Sequence, residues 1–322
     1  FELVLYKEDG DDLIGAFAAA LKALEEGEIP LGGRKHRGYG RVHVEDWQVC
    51  FYDMTNPIAL SAWLCDKLYS DDDKQDDFFA LAQNMADKRQ YVRIEARLQV
   101  CDSILIRAPS DFADNEHLTS NEKPVLSGTS LAGALRARAL KIANTINKTH
   151  ADRIVNDLFG EHGADGENEK LSASRVRVEE HPIQGGTFEY IQNRVKIDRF
   201  TGGAFETALF SERPLFADGN TYVQVNFELH YPDDKTKHEL LDAQTGLLLL
   251  VLKDLWTEDL PLGGEASIGR GRLQGQSATF KFHLSDFKEE INLNESGLST
   301  MQFAERLEKY VKALWNYPEA QS

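Results

Sequence analysis

The sequence predicts an α+β protein built in two unequal parts, and three observations carry that expectation. Stretches with strict apolar/polar alternation stand beside stretches whose apolar residues recur three and four apart, so strands and helices are mixed. The pattern Pro-Leu-Gly-Gly-x4-Gly-x-Gly-Arg occurs twice, starting at Pro30 and at Pro261. A chain of 322 residues, 42% hydrophobic and 28% charged, is long enough for about two ordinary cores.

The elements follow in order. Residues 1–6 read as a strand and 11–26 as a helix, with Leu13, Phe17, Leu21 and Leu24 spaced four and three apart. The first Gly-rich loop comes next, then a strand over 41–49, and an acidic helical connector over 57–90. The alternation of Val92, Ile94, Ala96, Leu98 and Val100 predicts a half-buried strand over 91–100. A polar loop spans 110–123, and a helix starts at about Gly128, capped by Thr129 or Ser130. Asn156–Gly160 ends a helix at a glycine, and 175–178 is a short strand. A strand over 222–230 and a helix over 243–256 lead to the second Gly-rich loop, then to a strand over 273–283. A terminal helix over 301–315 carries Phe303, Leu307, Val311 and Leu314 on one face.

The repeat has a domain-sized period, which points to tandem domains rather than a solenoid. A long stretch from Tyr91 precedes the second loop, but only a helix and a strand precede the first. The expected division is therefore the C-terminal part of one domain over 1–56, the connector over 57–90, a complete second domain over 91–298 and a terminal helix over 299–322. That division implies a segment of a longer polypeptide.

Charge narrows the function less than it first suggests. With 53 acids against 36 bases the net charge is −17, which argues against a phosphate backbone as partner. The bases nevertheless cluster, in 34–41, 136–141, 194–199 and 270–272, while acids crowd into 71–77 and 165–169. Cys50, Cys65 and Cys101 are too few and too scattered for a disulfide scaffold or a zinc knuckle, and a reducing cytoplasm is the expected setting. The longest apolar run, 247–252, is far short of a membrane span.

Three segments carry chemistry. In 124–139, Ser127, Thr129 and Ser130 surround a helix start whose free N–H groups favour an anion, with Arg136 further along; the same residues also suit a plain cap. In 193–204, Arg194, Lys196 and Arg199 alternate with apolar residues before a Thr-Gly-Gly turn, which suits single-stranded RNA held by phosphate contacts and stacking, or equally a solvated hairpin. The Gly-rich loops match neither a P-loop nor GxGxxG. Their glycines permit close backbone approach while Arg34, Lys35, Arg37, Arg41, Arg270 and Arg272 supply charge; tight turns are the alternative. Glu265 stands where the first loop has Arg34, so weaker binding is expected of the second loop.

Together these residues resemble the RAMP superfamily, the repeat-associated proteins of CRISPR systems. The matching pieces are 124–139 (PVLSGTSLAGALRARA), 158–160 (LFG), 193–204 (NRVKIDRFTGGA) and the two PLGG…GxGR loops, in the family's order. The chain is most similar to backbone subunits of type III effector complexes in their fused, multi-domain form. The resemblance implies a ferredoxin-like, RNA-recognition-like core with an inserted thumb hairpin around 176–215. It implies guide RNA, target RNA and other effector subunits as partners.

The resemblance also implies cleavage of the bound target by an aspartate in the loop after the first strand. Asp114 fits that place best and Asp111 is the alternative. The reaction so implied is metal-dependent, with Mg²⁺ as the cation and Asp114 as its protein ligand. RNA brings its own 2′-OH nucleophile, so a carboxylate need only act as base or hold the ion. On the residues alone Asp114 reads as an Asx-turn. His36, His117, His150, His162 and His181 are scattered, with no candidate nucleophile beside any of them, so guide processing is not expected. Two further readings stand beside target cleavage: a non-catalytic RNA scaffold, and an acidic protein-interaction module using 71–77.

Overall fold

A computed structural model describes residues 1–6, 11–33, 40–65, 67, 78–85, 88–161, 172–232, 238–285, 287–294, 297–298 and 301–317. They fall into two compact units, one ending at Lys88 and one running from Arg89.

In the first unit, helix α1 (Asp11–Glu25) buries Ala18 and Leu21 against Phe78, with Phe17, Phe51 and Phe79 packed around them. Leu13, expected on the buried face, is exposed, because the stripe runs through Ile14, Ala18 and Leu21 instead. Helix α2 (Pro57–Leu64) is capped by Asn56, whose side chain accepts from the Ile58 amide, and Pro57 fits the first turn. Residues 1–6 and 41–49 form no strand. A strand exists through its ladder, and among the described residues neither stretch forms one.

The second unit opens with β1 (Gln90–Val100), followed by the short strands β2 (Ser103–Ile104), β3 (Arg107–Ala108), β4 (Asn115–His117), β5 (Thr119–Ser120) and β6 (Lys123–Leu126). Segment 110–123 is therefore not a plain loop, since β4 and β5 lie within it. Next come α3 (Gly128–Ile146), α4 (Ala151–Phe159), β7 (Val176–Val178) and β8 (His181–Gln184). They are followed by β9 (Thr187–Glu189), the long hairpin β10 (Gln192–Ile197) and β11 (Ala204–Arg213), then β12 (Leu215–Ala217) and β13 (Tyr222–Tyr231). The unit ends with α5 (His238–Trp256), β14 (Leu273–His283), β15 (Lys288–Asn294), β16 (Gly297–Leu298) and α6 (Met301–Trp315).

The central strands are ordered β14-β1-β13, with β7 and β8 beside β13, and every pairing is antiparallel. With α3 following β1 and α5 following β13, this is the βαββαβ order of a ferredoxin-like sheet. Register explains the core. Ile94 lies opposite Phe227 and Phe280, and Val92 opposite Leu229 and Phe282, so one face is apolar across three strands. Leu131, Leu135, Ala139 and Ala143 of α3 and Leu241, Leu247, Leu248 and Val251 of α5 belong to the same buried cluster. Truncating the enclosed Phe227 to alanine would cost about 3–5 kcal/mol. Gly246 lets α6 approach α5 closely: a Cβ there would lie 2.1 Å from the Tyr310 carbonyl oxygen.

The opposite sheet face is polar. Arg93 pairs with Glu228, which also accepts from His230 at 2.9 Å, and Lys281 pairs with Glu95 at 2.9 Å. Two smaller sheets, β10-β11-β4-β3 and β2-β12-β9, carry the hairpin and its base.

Candidate nucleic-acid interface

The hairpin tip is built by one side chain. Asp198 Oδ1 accepts from the Phe200 amide at 2.9 Å, and Oδ2 accepts from the Thr201 hydroxyl at 2.9 Å. Its amide and carbonyl also bond the Gly203 carbonyl and the Gly202 amide, each at 2.8 Å. The bonds from Phe200 and Thr201 hold the carboxyl below the usual carboxylate range. The turn presents Phe200, 99% exposed, next to the exposed Arg199. Lys196 is exposed and sits over the Phe205 ring at 4.6 Å. Val195, Ile197 and Leu209 add apolar surface along the hairpin.

Arg194, on the same strand, is spent differently. Its Nη1 donates to Glu265 Oε1 at 2.8 Å. The other oxygen of Glu265 accepts from Arg270 Nε at 2.7 Å. Arg270 is buried, and it also donates to Ser103 Oγ at 2.9 Å and to Gln192 Oε1. Glu212, only 1% exposed, accepts from Arg107 at 3.2 Å. Burial first, then the hydrogen bond and charge of Glu265, push Glu212 up. Against the same burial, the bond from Glu212 and the guanidinium of Arg270 hold Glu265 down. The site residues Arg194 and Arg270 are thus internal ties joining hairpin, Gly-rich loop and β2. Arg272 alone of the second loop's arginines is exposed, and it makes no ion pair among the described residues.

The two Gly-rich loops share a backbone. Leu31 and Leu262 donate to the carbonyls of Gly40 and Gly271, each at 2.8 Å. Gly32 and Gly263 have φ of 85° and 84°, and Gly40 and Gly271 have φ of 84° and 76°. A Cβ on Gly40 or Gly271 would lie 1.8 or 1.9 Å from the Leu31 or Leu262 oxygen. Arg41 is exposed and runs beside Gly27. Arg34, Lys35 and Arg37 lie outside the described residues.

Ser127, not Thr129 or Ser130, caps α3. It is extended (φ −68°, ψ 140°), while Gly128 is already helical, and its Oγ accepts from the Ser130 amide at 3.3 Å. Thr129 and Ser130 instead pair with the Ser127 hydroxyl. Arg136 reaches the end of α4, donating to the Gly160 carbonyl at 2.5 Å and to Asn156 Oδ1 at 2.7 Å. That explains the Asn-Asp-Leu-Phe-Gly segment as a docking point for α3.

Asp114 lies at the base of the hairpin, just before β4. Its Oδ2 accepts from the Ser211 amide at 2.6 Å and from the Ser211 hydroxyl at 3.1 Å, and its own amide donates to the Ser211 carbonyl at 3.0 Å. The residue is exposed. Asp111 is exposed at a turn in which Ser110 Oγ accepts from the amides of Phe112 and Ala113. Among the described residues no three His, Cys, Asp or Glu side chains converge to hold a metal ion. Among the described residues a cation at Asp114 would find one protein carboxylate, already shared with Ser211, so phosphate oxygens of the RNA and water would complete its shell. No described helix is long and apolar enough to cross a membrane.

Sequence reasoning missed Glu212, Gln192, Ser103 and the aromatic residues Phe188, Tyr190 and Phe216. Only Glu265 gave a signal, as an acid in a basic loop. The family model of the RAMP superfamily matches residues 113–274, half of the chain. The chain belongs to the RAMP superfamily. This match spans the Asp114 loop, the α3 cap, the hairpin and the second Gly-rich loop. RAMP proteins are CRISPR-associated RNA-binding subunits, and the ferredoxin-like strand order agrees with that membership. Among curated proteins no match to the chain is found.

Proposed function

We propose that this RAMP protein is a backbone subunit of a type III CRISPR effector, holding guide RNA and its complementary target along the hairpin and the second Gly-rich loop. One observation carries the reading: a turn fixed by Asp198 holds Phe200 fully in solvent, with Arg199 next to it in the chain and Lys196 exposed on the strand leading into the turn. Exposing a phenylalanine on an ordered turn has no folding benefit. A wedge between bases, with cations for phosphates, uses it. The chain's net negative charge is compatible with this, because the cations are local to the hairpin and Arg272.

The test is binding of end-labelled single-stranded RNA across a salt series. Wild type binds with affinity that falls steeply with salt. Phe200→Ala weakens binding about tenfold at constant salt slope, and Arg199→Gln lowers the slope. Salt-independent binding, or none, would overturn the reading in favour of a protein-interaction module.

A second reading, target cleavage by Asp114, is supported by its place: an exposed carboxylate pinned by Ser211 at the hairpin base. In this role Asp114 takes the proton of the target's 2′-OH while the hairpin holds the strand. Asp114→Ala in the assembled effector would then remove one band from the cleavage ladder with binding intact. Persistence of the band with Asp114→Ala and its loss with Asp111→Ala would move the role to Asp111.

A further inference from the structure

The three-stranded sheet β2-β12-β9 carries a row of aromatic rings that the hairpin and loop do not explain. Phe216 on β12 lies opposite Phe188 on β9, and Tyr190 follows just beyond β9. The rings are nearly parallel: Tyr190–Phe216 at 4.5 Å and 11°, Phe188–Phe216 at 5.3 Å and 15°. Phe188 and Tyr190 are 53% and 48% exposed. Other aromatic groupings in the chain behave differently. Phe17, Phe51, Phe78 and Phe79 meet edge to face, and the parallel pair Phe282–Tyr310 is buried. Parallel rings stacked on one another and left half in water form an open-ended π stack rather than a core.

That surface adjoins an open cleft of about 400 Å³, lined by Phe216, Ile268, Gln192, Arg272 and Asp102. The volume lies in the range of small-ligand clefts, about 300–1,000 Å³. The buried Arg270 guanidinium lies 5.4 Å from the Phe216 ring centre and is paired with Glu265, so it lines the cleft as a tied group. Arg272 supplies the free cation. Asp102 supplies an accepting edge, while Gln192 is tied in place, its Oε1 accepting from Arg270 and its Nε2 donating to the Tyr190 hydroxyl at 2.7 Å. Aromatic face, polar edge and one cation are the three parts of a nucleotide's complement.

We propose that Phe188, Tyr190 and Phe216, with Arg272 at the cleft, form a seat for one unpaired nucleotide of single-stranded RNA, its base stacked on the rings and its phosphate at Arg272. The inference deepens the RNA-binding reading and rests on it. It differs from the hairpin wedge in place and chemistry: the hairpin tip displays a single ring on a turn, whereas the seat offers a sheet-borne stack.

The experiment uses the full chain and a single-stranded RNA probe containing 2-aminopurine, whose fluorescence is quenched on stacking. Binding is read separately by anisotropy of an end label. Wild type should bind and quench. Phe188→Leu/Tyr190→Leu keeps apolar bulk but removes two π faces, and should abolish the quench and weaken binding about tenfold. Arg272→Gln should weaken binding and lower the salt slope by about one. Absence of wild-type binding defeats the RNA reading itself. Wild-type binding with quench and affinity unchanged in the Leu variant defeats the seat alone, and assigns the aromatic row to a protein contact. Thermal unfolding of both variants, expected within a few degrees of wild type, shows that the fold is intact.

Discussion

Glu212 and Glu265 bring two carboxyl groups into one buried cluster, where three arginines, Arg107, Arg194 and Arg270, neutralise them. The two acids come from the hairpin and the Gly-rich loop, so their cluster fixes one against the other. Glu265 sits in the left-handed region at φ 62°, an uncommon conformation for a non-glycine residue. Its carboxylate holds that conformation by binding Arg194 and Arg270 together.

Glu265→Ala therefore leaves two guanidinium groups short of an anion and should cost about 3 kcal/mol. The loss should be local. Amide exchange should rise in β10 and β11 while the β1 and β13 amides stay protected. Glu212→Gln should cost less, because burial already disfavours the charge on Glu212. Uniform loss of protection across the sheet would instead make the cluster part of the main core.

Much of the second unit is legible in sequence because its elements obey short-range rules. Alternation in 91–100 predicts β1, and the place after the second Gly-rich loop predicts the strand over 273–283; the observed spans are Gln90–Val100 and Leu273–His283. The terminal helix is observed over Met301–Trp315, as expected. What fails is whatever depends on partners far along the chain. Residues 1–6 and 41–49 have strand-like patterns but form no ladder among the described residues. Arg136 looks like an anion ligand beside a helix start, yet its hydrogen-bond partners are Asn156 of α4 and Gly160, which caps that helix. Arg194 and Arg270 look available in sequence, and Glu265 alone hints that they are not. Phe188, Tyr190 and Phe216 carry no motif, because only pairing of β9 with β12 aligns them.

The duplicated loop makes a paired prediction. Gly271→Ala forces a Cβ against the Leu262 carbonyl at a positive φ, and Gly40→Ala does the same at Leu31. Both clashes are with backbone, so neither is relieved by a rotamer change. Gly271→Ala should destabilise the second unit by more than about 3 kcal/mol. Gly269→Ala, whose Cβ would meet only the end of the Arg272 side chain, should cost about 1 kcal/mol through its positive φ alone. Urea midpoints of the two variants give the comparison; equal losses would show that the approach to Leu262 is not the constraint.

Acid should weaken the fold in two steps. His117 is buried, its Nδ1 accepts from the Ile106 amide at 3.2 Å, and burial lowers it to about 4. The unfolded chain takes up this proton near pH 6.5 and the folded chain resists until about 4. Stability is therefore full above 6.5 and falls between those values, by on the order of 3 kcal/mol. Burial works against ionised Glu228, but His230 and Arg93 outweigh it and hold the group at about 2. Its contribution is present above pH 4.5 and is lost as pH falls toward 2. His117→Asn should cost about 1 kcal/mol at neutral pH and flatten the step between 6.5 and 4, while leaving the lower step. An unchanged upper step would mean that another group titrates there.

Asp114 separates a structural tie from a reactive one by two substitutions. Asparagine keeps an oxygen for the Ser211 amide but removes the charge; alanine removes both. Loss of the tie should cost about 1 kcal/mol in Asp114→Ala and less than about half of that in Asp114→Asn. If the carboxylate takes a proton during cleavage, both variants lose the band equally, since neither has a base. If Asp114 only stitches the 110–114 turn to β11, Asp114→Asn cuts like wild type and Asp114→Ala is slowed only as far as the hairpin base loosens. Cleavage rates measured beside unfolding midpoints for the same two proteins distinguish the cases, because stability and rate then fall together in one and separately in the other.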